Sequence, residues 1–200
     1  MTGALILIFA YLLGGIPFGY VLVRLTTGRD VRAMGSGNIG ATNVLRTTSR
    51  TLGIVTLLLD IGKGYLAVWA AGRLTGGSPV WMSAAALAVM AGHAFPLFLK
   101  FRGGKAVASF VGAFLCLTPL ALAAVLVLFV AAVAWTRYIS LGSIIAAAAL
   151  PFAVWLIQGP SPPPIAAAAV GAAFIIWRHR ENIARLRTGQ ENVLSFGGRS

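Results

Sequence analysis

Ser36, Asn38, Asn43 and Arg46 stand in a glycine-rich segment, residues 35–46 (GSGNIGATNVLR), whose composition suits an oxyanion. Glycines let backbone N–H groups come close to an anion, and the small polar side chains add donors. Arg46 supplies a planar fork that matches phosphate oxygens. Asn43 and Arg46 are three residues apart, so a helix starting near Thr42 sets both on one face. A second segment, residues 92–109 (GHAFPLFLKFRGGKAVAS), places Gly103-Gly104-Lys105 directly before an apolar run. Free N–H groups at a helix start, beside a lysine, form a ready anion site. In a third segment, residues 178–191 (RHRENIARLRTGQE), His179 and Asn182 lie one helical step apart. The imidazole is a candidate proton acceptor, and Asn182 can fix it or donate to a substrate oxygen. Arg178, Asn182 and Arg185 continue as an i, i+4, i+7 row.

Each segment also has a plainer reading. The first can be a cytoplasmic loop, and the third a basic helix attracted to anionic lipid. His93 fits a structural bond to nearby backbone as well as a general base. Asp60 and Lys63 fall inside an apolar run one helical step apart, where an ion pair is the first expectation and substrate contact the second. Ser140, Gly142 and Ser143 open another run, either as helix caps or as phosphate contacts. Several chemistries are excluded. Gly104-Lys105 lacks the preceding glycine and following hydroxyl of a nucleotide-phosphate loop. No Gly-x-Ser-x-Gly occurs, and Cys116 lies in an apolar run, so an acyl-enzyme is not expected. One cysteine leaves no metal cluster and no disulfide framework, and no cofactor motif appears.

What must position these residues is a set of membrane helices. The chain is 58% hydrophobic and 10% charged, with 16 Lys and Arg against 4 Asp and Glu. That is too little polar surface for a soluble domain of 200 residues. Apolar runs predict an all-α fold of seven transmembrane spans at about residues 4–23, 52–71, 79–99, 106–117, 120–135, 141–157 and 164–177, the last continuing as a helix into the tail. Pro119 predicts a turn inside the stretch 106–135, which is too long for one crossing. Seven spans put all the Lys and Arg except Lys63 and Arg73 on one side, which predicts the N-terminus outside and the C-terminus and all three segments in the cytoplasm. The excess positive charge is therefore read as topology, and nucleic acid is not an expected partner.

Taken together the segments resemble the bacterial acyl-phosphate:glycerol-3-phosphate acyltransferase (PlsY) family over the whole chain. The likeness runs through Ser36-Gly37-Asn38, Gly40-Ala41-Thr42-Asn43, Arg46, Asp60, Lys63-Gly64, Gly92-His93, Phe95-Pro96 and Gly103-Gly104-Lys105. It ends with Arg178-His179, Asn182-Ile183, Arg185-Leu186, Gly189 and Glu191. One departure is Ala106, where the family usually has glycine; if that position needs positive φ, the loop is strained, while Lys105 itself is retained. The resemblance implies one transmembrane domain over residues 1–200 in the bacterial inner membrane. It implies acyl transfer from acyl phosphate to the 1-hydroxyl of glycerol 3-phosphate, without a cofactor or an obligate protein partner. By carry-over Ser36, Arg46, Lys105, Ser143, His179 and Asn182 line the site; Asn38 and Asn43 join them on the loop chemistry above. An acyl phosphate is an activated mixed anhydride, so direct attack by the glycerol hydroxyl is expected. The proton goes either to His179 or to the donor's own phosphate. A His-x4-Asp pattern for acyl-CoA is missing, since Phe98 and Ala184 occupy the relevant positions. The alternative from another class, an anion or phosphate-ester carrier, predicts inverted repeats or cations on both faces, and the sequence shows neither.

Overall fold

The computed structural model describes residues 2–194, which are helical with no β-strand among them. They form two compact units, one up to Leu117 and one from Thr118. The first holds α1 (Thr2–Gly14), α2 (Phe18–Thr27), α3 (Ala41–Thr47), α4 (Arg50–Leu74), α5 (Pro79–Ala94) and α6 (Val107–Leu117). Short 3-10 turns at Val31–Ala33 and Leu97–Leu99 interrupt its loops. The second holds α7 (Pro119–Thr136), α8 (Ile139–Gln158), α9 (Pro162–Arg178) and α10 (Arg180–Arg187).

Local sequence explains the ends. Prolines in the first turn start α5, α7 and α9, where the missing N–H is not needed. Ser49 caps α4, its hydroxyl accepting from the Leu52 amide at 3.1 Å. Thr118-Pro119 separates α6 from α7 as expected. In the first unit α4 packs on α6 and α5, and α1 on α5. The contacts are made by small side chains, with Ala10, Ala67, Ala71, Ala85 and Ala86 fully buried. Outside, Leu58, Trp69 and Leu74 are exposed. Small residues inward and large apolar ones outward suit helices whose surroundings are lipid, where close backbone approach replaces the hydrophobic drive.

Three expectations need correction. Five spans among the described residues are long and apolar enough to cross a bilayer, not seven. The other two, α6 and α9, are 11 and 17 residues long, or about 17 and 26 Å against a hydrocarbon core of about 30 Å. The expected first helix, residues 4–23, is two helices broken at Gly15–Pro17. Proline removes a donor there, and the Ile16 carbonyl accepts from the Phe18 amide at 3.1 Å and from the Lys63 ammonium at 2.8 Å. The helix expected to run unbroken past residue 177 stops at Arg178 and restarts at Arg180. Neither glycine nor proline makes that break. The His179 ring bonds the Ile175 carbonyl at 2.8 Å, and the His179 amide reaches the same oxygen at 3.0 Å. The amide is shared with the Ile176 carbonyl, also at 3.0 Å, which tightens the last turn of α9 where the helix ends.

Candidate functional site

In the first unit the loop before α3 is wound around one side chain. The Asn43 carboxamide donates to the carbonyls of Asn38 (2.8 Å), Met34 (3.0 Å) and Val31 (3.2 Å). Its oxygen accepts the Ser36 amide at 2.9 Å. Gly35 and Gly37, at φ 55° and 69°, make the turns this wrapping needs. Asn38 folds on itself, its side chain accepting from the Gly40 amide at 2.8 Å. The outcome is an exposed Ser36 on a rigid loop, a buried Asn43 beneath it, and a half-buried Arg46 one helical turn along α3. Just upstream, Asp30 takes two bonds from the Arg32 guanidinium, the shorter 2.7 Å. That side-chain pairing holds its carboxyl below the usual range.

The second segment is clamped to the end of α5. Gly103 and Gly104 donate their amides to the carbonyls of Ala94 and His93, both at 3.1 Å. Gly104 lies so close to the His93 imidazole that a Cβ would overlap its Nε2 edge. Lys105 follows, half-buried, immediately before α6. Behind it sits a buried group: Lys63 Nζ is 2.8 Å from Asp60 Oδ1, and His93 Nδ1 is 3.6 Å from the same oxygen. The ion-pair reading of Asp60 and Lys63 is thus the observed one, and the covered Nε2 edge gives His93 a structural place.

Ala106 adopts φ 62°, the left-handed region that glycine occupies without strain. Alanine there costs about 1 kcal/mol. Ala106→Gly should therefore raise the thermal midpoint of the detergent-purified protein by about 2–4 °C. An unchanged or lower midpoint would show that the loop holds this conformation without strain.

The second unit carries a polar cluster around an acid. Glu191 Oε1 accepts from Asn182 Nδ2 at 2.7 Å and from the Ser140 hydroxyl at 3.0 Å, while Oε2 pairs with Arg185 Nε at 2.8 Å. Burial works to raise the Glu191 carboxyl, yet the bonds from Asn182, Arg185 and Ser140 outweigh it and leave the group below its ordinary value. Motif spacing gave Glu191 no role. The available signal was its rarity, one of 4 acidic residues in a basic chain. His179 is buried, and because a carbonyl only accepts, its bond to Ile175 puts the proton on Nδ1. The neutral ring then has its lone pair on Nε2. Ser143 donates to the Ile139 carbonyl at 2.8 Å from inside α8, so it does not cap that helix. The two units thus organise Ser36, Asn38, Asn43, Arg46 and Lys105 in one, and Ser143, His179 and Asn182 in the other.

A family described as Glycerol-3-phosphate acyltransferase matches residues 4–189. A protein named Glycerol-3-phosphate acyltransferase from Geobacter sulfurreducens is 51% identical over 183 residues, 92% of this chain and 93% of that protein. One of the same name from Geotalea daltonii is 47% identical over 194 residues, 96% of this chain and 98% of its own length. A crystal structure of PlsY (YgiH), an integral membrane glycerol 3-phosphate acyltransferase in its glycerol 3-phosphate form, matches with a TM-score of 0.91 at 37% identity. It covers 98% of this chain and 96% of that one. The lysophosphatidic acid form of the same protein matches with a TM-score of 0.88 at 36% identity, covering 98% and 96%.

Proposed function

The chain belongs to the glycerol-3-phosphate acyltransferase family, and from that premise we propose that it transfers a fatty acyl group from acyl phosphate to the 1-hydroxyl of sn-glycerol 3-phosphate. The products are lysophosphatidic acid and inorganic phosphate. It is a multi-pass membrane acyltransferase. The observation that carries the substrate assignment is the whole-chain likeness to a protein solved in glycerol 3-phosphate and lysophosphatidic acid forms.

The residues supply the parts such a reaction needs. Arg46 and Lys105 hold phosphate, with Ser36 and Asn38 on the glycine loop and Ser143 in α8 completing the oxygen contacts. Asn43 works from below by fixing the loop's shape. The glycerol hydroxyl oxygen attacks the acyl carbon, the bond from that carbon to the phosphate oxygen breaks, and phosphate leaves. His179 Nε2 takes the hydroxyl proton, while Asn182 is anchored through Glu191. The membrane-spanning helices cross the inner membrane with the N-terminus outside, so the basic segments meet cytoplasmic substrate.

The test is purified protein incubated with glycerol 3-phosphate and either acyl phosphate or acyl-CoA. Lysophosphatidic acid and equimolar phosphate from the first donor alone are the expected result. Uptake of glycerol 3-phosphate into vesicles without acylation would replace the enzyme by a carrier. His179→Gln should lower kcat by about 10²-fold or more and flatten the acid limb of its pH profile. A loss under tenfold with an unchanged profile would give the proton to the donor's phosphate instead.

A further inference from the structure

The geometry points to His93 as a positioning residue for the substrate phosphate, acting through the Gly103-Gly104-Lys105 loop and held by Asp60, Lys63 and Ser109. This rests on the reading of Lys105 as a phosphate ligand and adds the device that aims it. The imidazole is a wedge with two occupied sides. On one side Nδ1 is 3.3 Å from the Ser109 hydroxyl on α6 and 3.6 Å from Asp60 Oδ1 on α4. On the other, its Nε2 edge lies against Gly104, with no room for a Cβ. The His93 carbonyl also accepts the Gly104 amide at 3.1 Å, so ring and backbone of one residue fix the same loop position. The next residue is Lys105.

Asp60 is itself held. Lys63 Nζ lies 2.8 Å from Asp60 Oδ1 and donates to the Ile16 carbonyl at 2.8 Å, while its ammonium is 5.5 Å from the Phe18 ring centre. The chain of contacts therefore runs from the break between α1 and α2, through Lys63 and Asp60, to the ring and then to the loop. Asp60, Lys63, His93 and Ser109 are each no more than 4% exposed. A buried, multiply bonded group of this kind fixes orientation, because each alternative rotamer leaves a polar atom without its partner. Buried as they are, Asp60, Lys63, His93 and Ser109 act on the phosphate through Lys105 in this proposal.

Steady-state kinetics on the full-length protein in detergent separate positioning from general support. His93→Gln should raise KM for glycerol 3-phosphate about tenfold. KM for acyl phosphate should stay within twofold and the thermal midpoint close to wild type. In a Lys105→Arg background, itself weakened for glycerol 3-phosphate, His93→Gln should add less than a twofold loss, because the longer planar cation no longer depends on the aim that the ring gives to lysine. Equal rises in both KM values, or the same tenfold loss in both backgrounds, would overturn the proposal. An unchanged KM for glycerol 3-phosphate in Lys105→Arg alone would instead remove Lys105 from phosphate binding, and this inference with it. Should His93→Gln fail to fold, Ser109→Ala and the paired Asp60→Asn, Lys63→Met change should shift the same KM in the same direction. The pair removes both charges together, so no ion is left alone.

Discussion

Lys105→Ala should lower acyl transfer by about 10²- to 10³-fold at saturating acyl phosphate, with KM for glycerol 3-phosphate rising. The size follows from where the charge sits. In the proposed reaction glycerol 3-phosphate would bring a phosphate dianion to a half-buried lysine two residues before α6. A preorganised cation in such a setting contributes about 3–4 kcal/mol to the reacting complex, which is the stated range of rates. The backbone around it is fixed before substrate arrives, by the Gly103 and Gly104 amides on the end of α5 and by the left-handed Ala106. Little reorganisation is left to soften the loss. Lys105→Arg keeps the charge on a longer, planar group and should recover part of the rate, since the two cations are not interchangeable. The assay is phosphate release alongside lysophosphatidic acid formation. Retention of more than a tenth of wild-type rate in Lys105→Ala would assign the phosphate to other cations.

Local features were legible in the sequence and long-range ones were not, for identifiable reasons. The helix near Thr42 carrying Asn43 and Arg46 is found as Ala41–Thr47, because glycine-rich turn followed by an apolar period is a local signal. The Asp60–Lys63 pair was readable because charge at membrane depth demands a partner. The ends of α6 and α9 were readable to within two residues, expected at 106–117 and 164–177 and found as Val107–Leu117 and Pro162–Arg178. The number of runs long enough to cross was not, because apolarity alone does not set a span's length against the bilayer. Long-range contacts were also invisible. Nothing in the spacing of Lys63 and Ile16, 47 residues apart, foretells that the ammonium closes a helix break. The break at His179 was missed because no helix-breaking residue type marks it; the His179 amide is shared between the Ile175 and Ile176 carbonyls there.

Glu191→Gln should lower the thermal midpoint by about 5–10 °C and reduce turnover at least tenfold. The carboxylate gathers Ser140, Asn182 and Arg185 at 3.0, 2.7 and 2.8 Å, and it is buried. An amide in its place has one oxygen rather than two, so at least one donor loses its acceptor and Arg185 loses its counter-charge. Arg185 is 31% exposed, so solvent screens part of the pairing, and removing the acid's charge costs about 2–3 kcal/mol. The midpoint shift expected for a chain of this size is of the stated order. The effect reaches the chemistry through Asn182, which Glu191 holds directly. A pH test separates charge from packing. The folded Glu191 carboxyl lies below its ordinary value, burial opposing and the bonds from Asn182, Arg185 and Ser140 prevailing. Its stabilisation is therefore complete above the unfolded value of about 4.3 and is lost as pH falls through the lower, folded value. Wild type should lose midpoint across that acidic window, while Glu191→Gln, with nothing to protonate there, starts lower and stays flatter. Parallel curves for the two proteins would mean that the cluster is held by shape and that the acid's charge contributes nothing.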